Sequence, residues 1–342
     1  RAGMGQACSS KDSRCAVDCC SNDDPKSFKP EDLKETEEEP QEKADEAPKI
    51  LINSPSASST VDVVSEEKAK TKVSMPGYFE REVEELKLLN SRGPEGMRPP
   101  FKFKTGATYT GQWKGNSRHG MGIQQWPDGA IYEGEWNMNK AEGCGRFAHT
   151  DGDFYVGEWK GNVANGQGVY YHRDVTTYEG EWLGDLQEGY GVESWGEGSR
   201  FEGVFHAGQK QGHGIYFWPD GSEYRGTWEG NCINGLGAYM GSDGRWFKGH
   251  WSDSVIHGIG RYAWQDGRVY NGGYAFDKKD GFGIFAWPDG RKYEGFWRQG
   301  KQHGNGRYTM KDGSTRTATW KDGKRQSVDS EPSPSEVPES LC

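Results

Sequence analysis

The residues best placed to do chemistry stand at the start of the chain. Met4-Gly5-Gln6-Ala7-Cys8-Ser9 fits M-G-x-x-x-[ST], in which loss of Met frees the amine of Gly5 for an amide-linked myristoyl chain. This requires Met4 as initiator, with Arg1-Ala2-Gly3 as leader or scar, since a glycine inside a chain has no free amine. One myristoyl chain holds a protein to a bilayer only marginally, so a second anchor is expected. Cys8 lies three residues after Gly5, and Cys15, Cys19 and Cys20 follow, which makes thioester-linked palmitate the natural second attachment. A metal is not expected there: C-x6-C-x3-C-C lacks paired CxxC spacing and has no nearby His.

A second feature is electrostatic. Residues 291–325 carry ten Lys/Arg against three acids, whereas 101–290 carry 17 against 24. Arg291, Lys292, Arg298, Lys301, Arg307 and Lys311 are therefore candidate contacts for anionic lipid head groups or a partner, each basic residue near a membrane being worth about 1 kcal/mol. A solvated charged end is the plainer alternative.

Catalytic signals are absent. The chain has no Gly-x-Ser-x-Gly, no His-Glu-x-x-His and no Cys/His cluster, so no enzyme activity and no cofactor is expected. No apolar run approaches the ~20 residues a spanning helix needs, and no secretory signal opens the chain. A net charge of -10 argues against nucleic acid, and four of seven Cys crowded into the first twenty residues argue for a reducing compartment.

The elements that must position these groups follow from a period of 23. Stepping from Tyr109 gives Tyr132, Tyr155, Tyr178, Phe201, Tyr224, Phe247, Tyr270 and Tyr293. Two residues after each stands a Gly (Gly111 in the first unit), and two further on Trp113, Trp136, Trp159, Trp182, Phe205, Trp228, Trp251, Tyr274 and Trp297. Each unit then carries Gly-x-Gly, beginning with Gly120 and Gly122, and an acid-Gly turn broken only at Asp174-Val175. Strand side chains alternate, so Tyr109, Gly111 and Trp113 share one face, and Gly120, Gly122 and Trp126 share one face of the next strand. Each unit reads as a β-hairpin whose rings lie over glycines of the neighbouring strand, replacing an aliphatic core; Leu, Ile, Val and Phe make up only 48 of 342 residues. Trp126-Pro127-Asp128-Gly129, repeated at 218–221 and 287–290, suits a type I turn with a left-handed Gly. The opposite face, with Glu135, Glu158 and Glu181, is expected to be polar.

This pattern of Tyr-x-Gly-x-Trp, Gly-x-Gly and Asp-Gly resembles the MORN (membrane occupation and recognition nexus) repeat family. Nine full units cover about 60% of the chain, and Trp320 marks a partial tenth in which Arg316 replaces the Tyr. The resemblance implies an all-β, elongated single-layer antiparallel sheet of stacked hairpins, used in membrane-associated and cytoskeletal scaffolds. MORN units precede catalytic domains in some lipid kinases and methyltransferases, but only about twenty residues follow Trp320 here. The His often seen before the first repeat glycine is present as His119, His257 and His303 and replaced by Glu142 and Glu188 elsewhere.

Five segments are expected: an acylation segment (1–20), a disordered linker (21–75), a short helix (76–92), the repeats (101–323) and a disordered acidic tail (324–342). Phe79, Val83, Leu86 and Leu89 share a face of the helix, which is expected to cap the first open sheet edge or meet a partner. The leading functional expectation is a scaffold anchored by acyl chains to the cytoplasmic side of a membrane, at the plasma membrane or cell cortex. It would bind unidentified protein partners, cytoskeletal ones among them, and pair into a homodimer through its sheet edges. The alternatives are a soluble component of an axonemal or cytoskeletal assembly, in a cilium or flagellum, and a targeting subunit of a lipid kinase or methyltransferase complex.

Overall fold

The computed structural model describes residues 77–89 and 93–329. Gly5, Cys8, Cys15, Cys19 and Cys20, the linker and the end of the tail lie outside the described residues. The described strands form one antiparallel sheet of 22, in which each strand from β3 on pairs with its chain neighbour. Two short strands, β1 (Gly96–Met97) and β2 (Phe101–Lys102), follow one another along the outer edge of β3 (Thr108–Lys114), opposite Gln112–Trp113 and Thr108–Tyr109. From β3 on, strands of seven and nine residues alternate: β4 is Ser117–Gln125, β5 Ile131–Asn137 and β6 Lys140–Ala148, and so on to β19 (Lys292–Arg298) and β20 (Lys301–Thr309). A tenth hairpin, β21 (Thr315–Lys321) and β22 (Lys324–Asp329), forms although its sequence pattern is incomplete.

The rings and second glycines build the core. Tyr109 lies over the pair Gly111 and Gly122, which face one another across β3 and β4, and its hydroxyl donates to the carbonyl of Gln112 at 2.7 Å. Tyr132, Tyr155, Tyr178, Tyr224, Tyr270 and Tyr293 do the same, each to the carbonyl three residues on. Trp136, Trp159 and Trp182 donate their indole N–H to Gly122, Gly145 and Gly168 of the preceding hairpin. Edge-to-face contacts then run without a break: Tyr109 meets Trp113 and Trp136 at 5.1 and 5.6 Å, Tyr132 meets Trp136 and Trp159 at 5.0 and 5.2 Å, and the zigzag ends with Tyr293 on Trp320 at 5.0 Å. Edge-to-face packing suits the ring quadrupoles, and each ring of the ladder ties one hairpin to the next.

Three expectations need correction. First, Gly120 does not share the ring face with Gly122. Gly111 pairs with Gly122 but Trp113 with Arg118, so β4 carries two extra residues in a bulge, and Gly120 sits in it at φ 71°. The first glycine of every Gly-x-Gly has φ between 61° and 99°, so it is there for backbone conformation and the second for the ring above it. Second, the opposite face is not uniformly polar: beside its glutamates it exposes Met121, Tyr190, Leu236, Ile259, Phe282 and Phe296 at 51 to 72%. These residues are the variable ones between repeat glycines and rings, so the period carries no information on them. Third, the helix is only Val83–Lys87, and its segment lies on the ring face; the outer edge of β3 is covered by β1 and β2 instead.

Two kinds of turn close the sheet. At Trp126-Pro127-Asp128-Gly129 the N–H of Gly129 donates to the Trp126 carbonyl at 3.0 Å, with Gly129 at φ 99°. Val175 takes the place of that glycine in the third unit, at φ 70°. A β-branched residue there is strained. Val175→Gly is expected to stabilise the protein by about 1 kcal/mol, read as a higher denaturation midpoint. The other turns are two-residue type I′ loops such as Gly161-Asn162 and Gly184-Asp185, with positive φ at both positions. Their polar side chains reach back one hairpin: Asn162 Oδ1 accepts from the N–H of Ala141 at 2.8 Å, and Asp185 Oδ1 from Ala164 at 2.7 Å.

Candidate functional site

Residues 77–89 form a strap across the ring face of the first three hairpins. Phe79 is the anchor, 1% exposed, with its ring 5.2 to 5.9 Å from Trp126, Tyr132, Trp136, Phe147 and Trp159. Tyr78 packs edge-on against Trp126 at 5.0 Å, and its hydroxyl donates to Asp128 Oδ2 at 2.8 Å. Arg81 lies over the Tyr78 ring and also reaches Asp128. Glu82 is 1% exposed; its carboxylate accepts from Trp126 Nε1 at 3.3 Å and from the Thr105 hydroxyl at 2.9 Å. Phe79 and Leu86, expected on one helix face, are both buried, but Phe79 precedes the helix, and its seat at the Trp126 turn is a long-range pairing that no local pattern announces.

Beneath the strap, Arg118 is fully buried. Its guanidinium lies over Trp136 at 4.2 Å and donates to the carbonyls of Phe79 and Asn139 and to Gln124 Oε1. Burial pulls its pKa down to about 10, against the charges of Glu82 and Tyr109 that favour the cation. The ladder phenols shift the other way. Burial pushes Tyr293 up to about 12, and Tyr109, Tyr132, Tyr155, Tyr178, Tyr224 and Tyr270 further still.

These phenols set a pH limit. Each keeps its proton in the sheet but loses it in the unfolded chain once the pH passes 10, the ordinary phenol value. Their stabilisation is complete below pH 10 and is lost as pH rises toward the folded values, by about 1.4 kcal/mol per pH unit for each group. Arg118 contributes with the opposite sign from about 10 up to its ordinary value, but it is one group against seven. Cooperative unfolding above pH 10 is expected, with phenolate absorbance rising together with loss of the folded circular dichroism signal; phenols that titrate at pH 10 in a folded sheet would contradict it.

Beyond the strap the ring face is less covered. Trp126 is 2% exposed, whereas Trp195, Trp218, Trp264 and Trp287, at the same repeat position, are partly buried. Two lysines lie among these rings. Lys210 pairs with Glu193 at 2.5 Å and sits 4.8 Å from the Trp195 centroid, and Lys279 sits over Phe285 and Trp297 at 4.6 and 4.8 Å.

The basic end predicted from sequence is less uniform than its charge count. Glu294 engages Lys292 at 3.2 Å and Arg307 at 2.9 Å, and Asp289 engages Arg291 at 2.7 Å. Arg298, Lys301 and Lys311 are exposed. The repeat His position has a structural use: Glu142, Glu188 and His303 each accept from a backbone N–H of the next hairpin's turn. Among the described residues no group of three His, Cys, Asp or Glu is arranged to hold a metal, and no helix is long and apolar enough to cross a membrane.

Comparison with known proteins follows the same lines. Among solved structures, the TCP10 domain of Danio rerio CPAP in complex with a STIL peptide is similar at 13% identity over 67% of this chain and 97% of that chain, with a TM-score of 0.38. The TCP domain of Drosophila melanogaster SAS-4, with a proline-rich motif of Ana2, covers 52% of this chain and 85% of its own at 13% identity and TM-score 0.26. A virginiamycin B lyase from Staphylococcus aureus covers 68% of this chain and 87% of its own at 11% identity and 0.15. Scores this low give these likenesses no weight for function. No curated protein matches the chain. The family model for the MORN repeat, however, matches residues 109–131, 132–154, 155–174, 178–200, 201–223, 247–267, 270–290 and 293–315. It omits 224–246, which nevertheless forms the same hairpin with Tyr224 over Gly226 and Gly237. With more than half its residues matched and the ring ladder unbroken through every unit, the chain belongs to the MORN repeat family.

Proposed function

We propose that the chain is a non-enzymatic scaffold tethered to the cytoplasmic face of a membrane, which presents its ring face to protein partners. The observation that supports this best is the unequal cover of that face, with Trp126 sealed by the strap and its counterparts at Trp195, Trp218, Trp264 and Trp287 partly in water. A run of large rings left half-covered beside charged groups has the composition of a protein-binding patch. The repeated polar groups, by contrast, close hairpins and clasp turns, which leaves them no catalytic use.

Tethering rests on the N-terminal motif. Myristate on Gly5 and palmitate on Cys8, with Cys15, Cys19 and Cys20 as further acceptors, supply the two signals that stable attachment needs. The exposed Arg298, Lys301 and Lys311 add an anionic-lipid contact at the far end of the sheet. Crosslinking in cells tests the scaffold reading. The intact chain is expected to carry links from Lys210 and Lys279 to another protein, and a chain recovered alone after efficient crosslinking contradicts it.

A further inference from the structure

The turn sequence Trp-Pro-Asp-Gly occurs three times, at 126–129, 218–221 and 287–290, and each copy has a cation eight residues before its Trp: Arg118, Lys210 and Lys279. No other repeat combines the two. In the first copy this pair forms the seat of the strap, with Arg118 over Trp136 and bonded to the Phe79 carbonyl, Trp126 donating to Glu82, and Asp128 accepting from Tyr78.

Seven repeats on, the rings, the cation and the turn acid of that seat return, while Thr105, Gln124 and Asn139 are replaced by Asp266, Phe285 and Gly300. The five rings around Phe79 become Trp287, Tyr293, Trp297, Tyr308 and Trp320, which keep the ladder contacts between Tyr293, Trp297 and Trp320. Lys279 stands 4.8 Å from the Trp297 centroid, as Arg118 stands 4.2 Å from Trp136. Asp289 takes the place of Asp128. Trp287 and Tyr308 are partly buried, whereas Trp126 and Phe147 beneath the strap are 2% and 1% exposed. At the Trp218 copy Lys210 lies over Trp195, Phe201 and Phe205; Lys279 lies over the equivalent Trp264 and Tyr270 and extends to Phe285 and Trp297, the ring that corresponds to Trp136.

We propose that the Trp287 turn is a second seat that binds, in trans, a partner-protein segment of the same chemistry as the strap: a Tyr-Phe pair with an acid three residues after the Phe. This rests on the scaffold reading and names the partner's chemistry. Charge favours that occupant, since the strap segment carries Glu80, Glu82, Glu84 and Glu85 and residues 279–320 carry eight Lys/Arg against four acids, with Arg291 at 5.5 Å from the Trp287 centroid. Two further substitutions shape selectivity. Ala130 and Ala141 of the first seat are replaced by Arg291, which is paired with Asp289 at 2.7 Å, and by Gln302, so that a cation and an amide stand beside the ring pocket. The seat is thereby more polar than the one the strap fills.

The probe is a synthetic peptide of Gly77–Leu89, titrated calorimetrically into the intact 342-residue chain, with a photoreactive phenylalanine at the Tyr78 position to locate it. One equivalent is expected to bind and to crosslink within 279–320. Phe79→Ala in the peptide is expected to weaken binding about thirtyfold, as for the central anchor of an interface, and Glu82→Gln to weaken it about tenfold. Both changes are in the peptide, so neither disturbs the fold of the chain. No binding, binding indifferent to Phe79→Ala, or a crosslink outside 279–320 overturns the proposal; a crosslink within 118–159 would show exchange with the strap only. If the peptide fails while the chain still crosslinks to partners in cells, the second seat is rejected and the scaffold reading stands.

Discussion

Trp182→Ala is expected to destabilise the protein by about 3 to 5 kcal/mol, the range for emptying a buried aromatic site. The residue is 3% exposed, its ring meets Tyr155 at 5.3 Å and Tyr178 at 5.0 Å, and its indole N–H donates to the Gly168 carbonyl at 3.1 Å. It is the rung by which the third hairpin is joined to the fourth. In a stack where each unit contacts only its neighbours, cutting one rung should split the cooperative unit, so chemical denaturation is expected to become broader or biphasic as well as less resistant. A single transition at the wild-type midpoint would mean that strand pairing alone holds the hairpins together.

Adding one carbon beneath a ring is expected to be nearly as damaging as removing the ring. A Cβ at Gly145 would stand 2.5 Å from the Tyr132 hydroxyl and 2.7 Å from its ring, closer than side chains approach. The ring cannot move aside without breaking its bond to the Glu135 carbonyl and its contacts with Trp136 and Trp159. Gly145→Ala should cost about 3 kcal/mol, the upper range for overpacking, measured by thermal or chemical unfolding. Tyr132→Phe serves as control: it removes one hydrogen bond and should cost about 1 kcal/mol. If Gly145→Ala were as mild as Tyr132→Phe, the glycine would be there for another reason than the ring above it.

Most of the fold is legible because a physical requirement repeated nine times overrides local noise. Tyr109 and its successors must be aromatic, and Gly122 and its successors must lack a side chain, so ring and glycine name each other at a distance of 13 residues. Parity misplaces Gly120 because it assumes an unbroken strand, and a bulge cannot be seen by counting in twos. The clasps of Asn162 and Asp185 carry a readable signal, a turn-forming residue with its side chain free to bond backward, but their partners lie 21 residues away. The candidate site is less legible than the fold. The strap occurs once, so no period reveals that Phe79 sits on the Trp126 turn and not at the sheet edge. The threefold Trp-Pro-Asp-Gly turn is visible in the sequence, but only the structure separates the copy that is covered from the two that are not.

The tether and the sheet are separable in this account, one fixing where the protein is and the other what it holds. Membrane partitioning of the chain started at Met4, expressed in a eukaryotic cell, tests that division most directly. Wild type is expected in the membrane fraction, Gly5→Ala in the soluble fraction, and Cys8→Ser weakly held, with all three equally folded. A soluble wild type would contradict the tether and favour a cytoskeletal component, whereas Gly5→Ala remaining fully bound would place the membrane contact in the sheet itself.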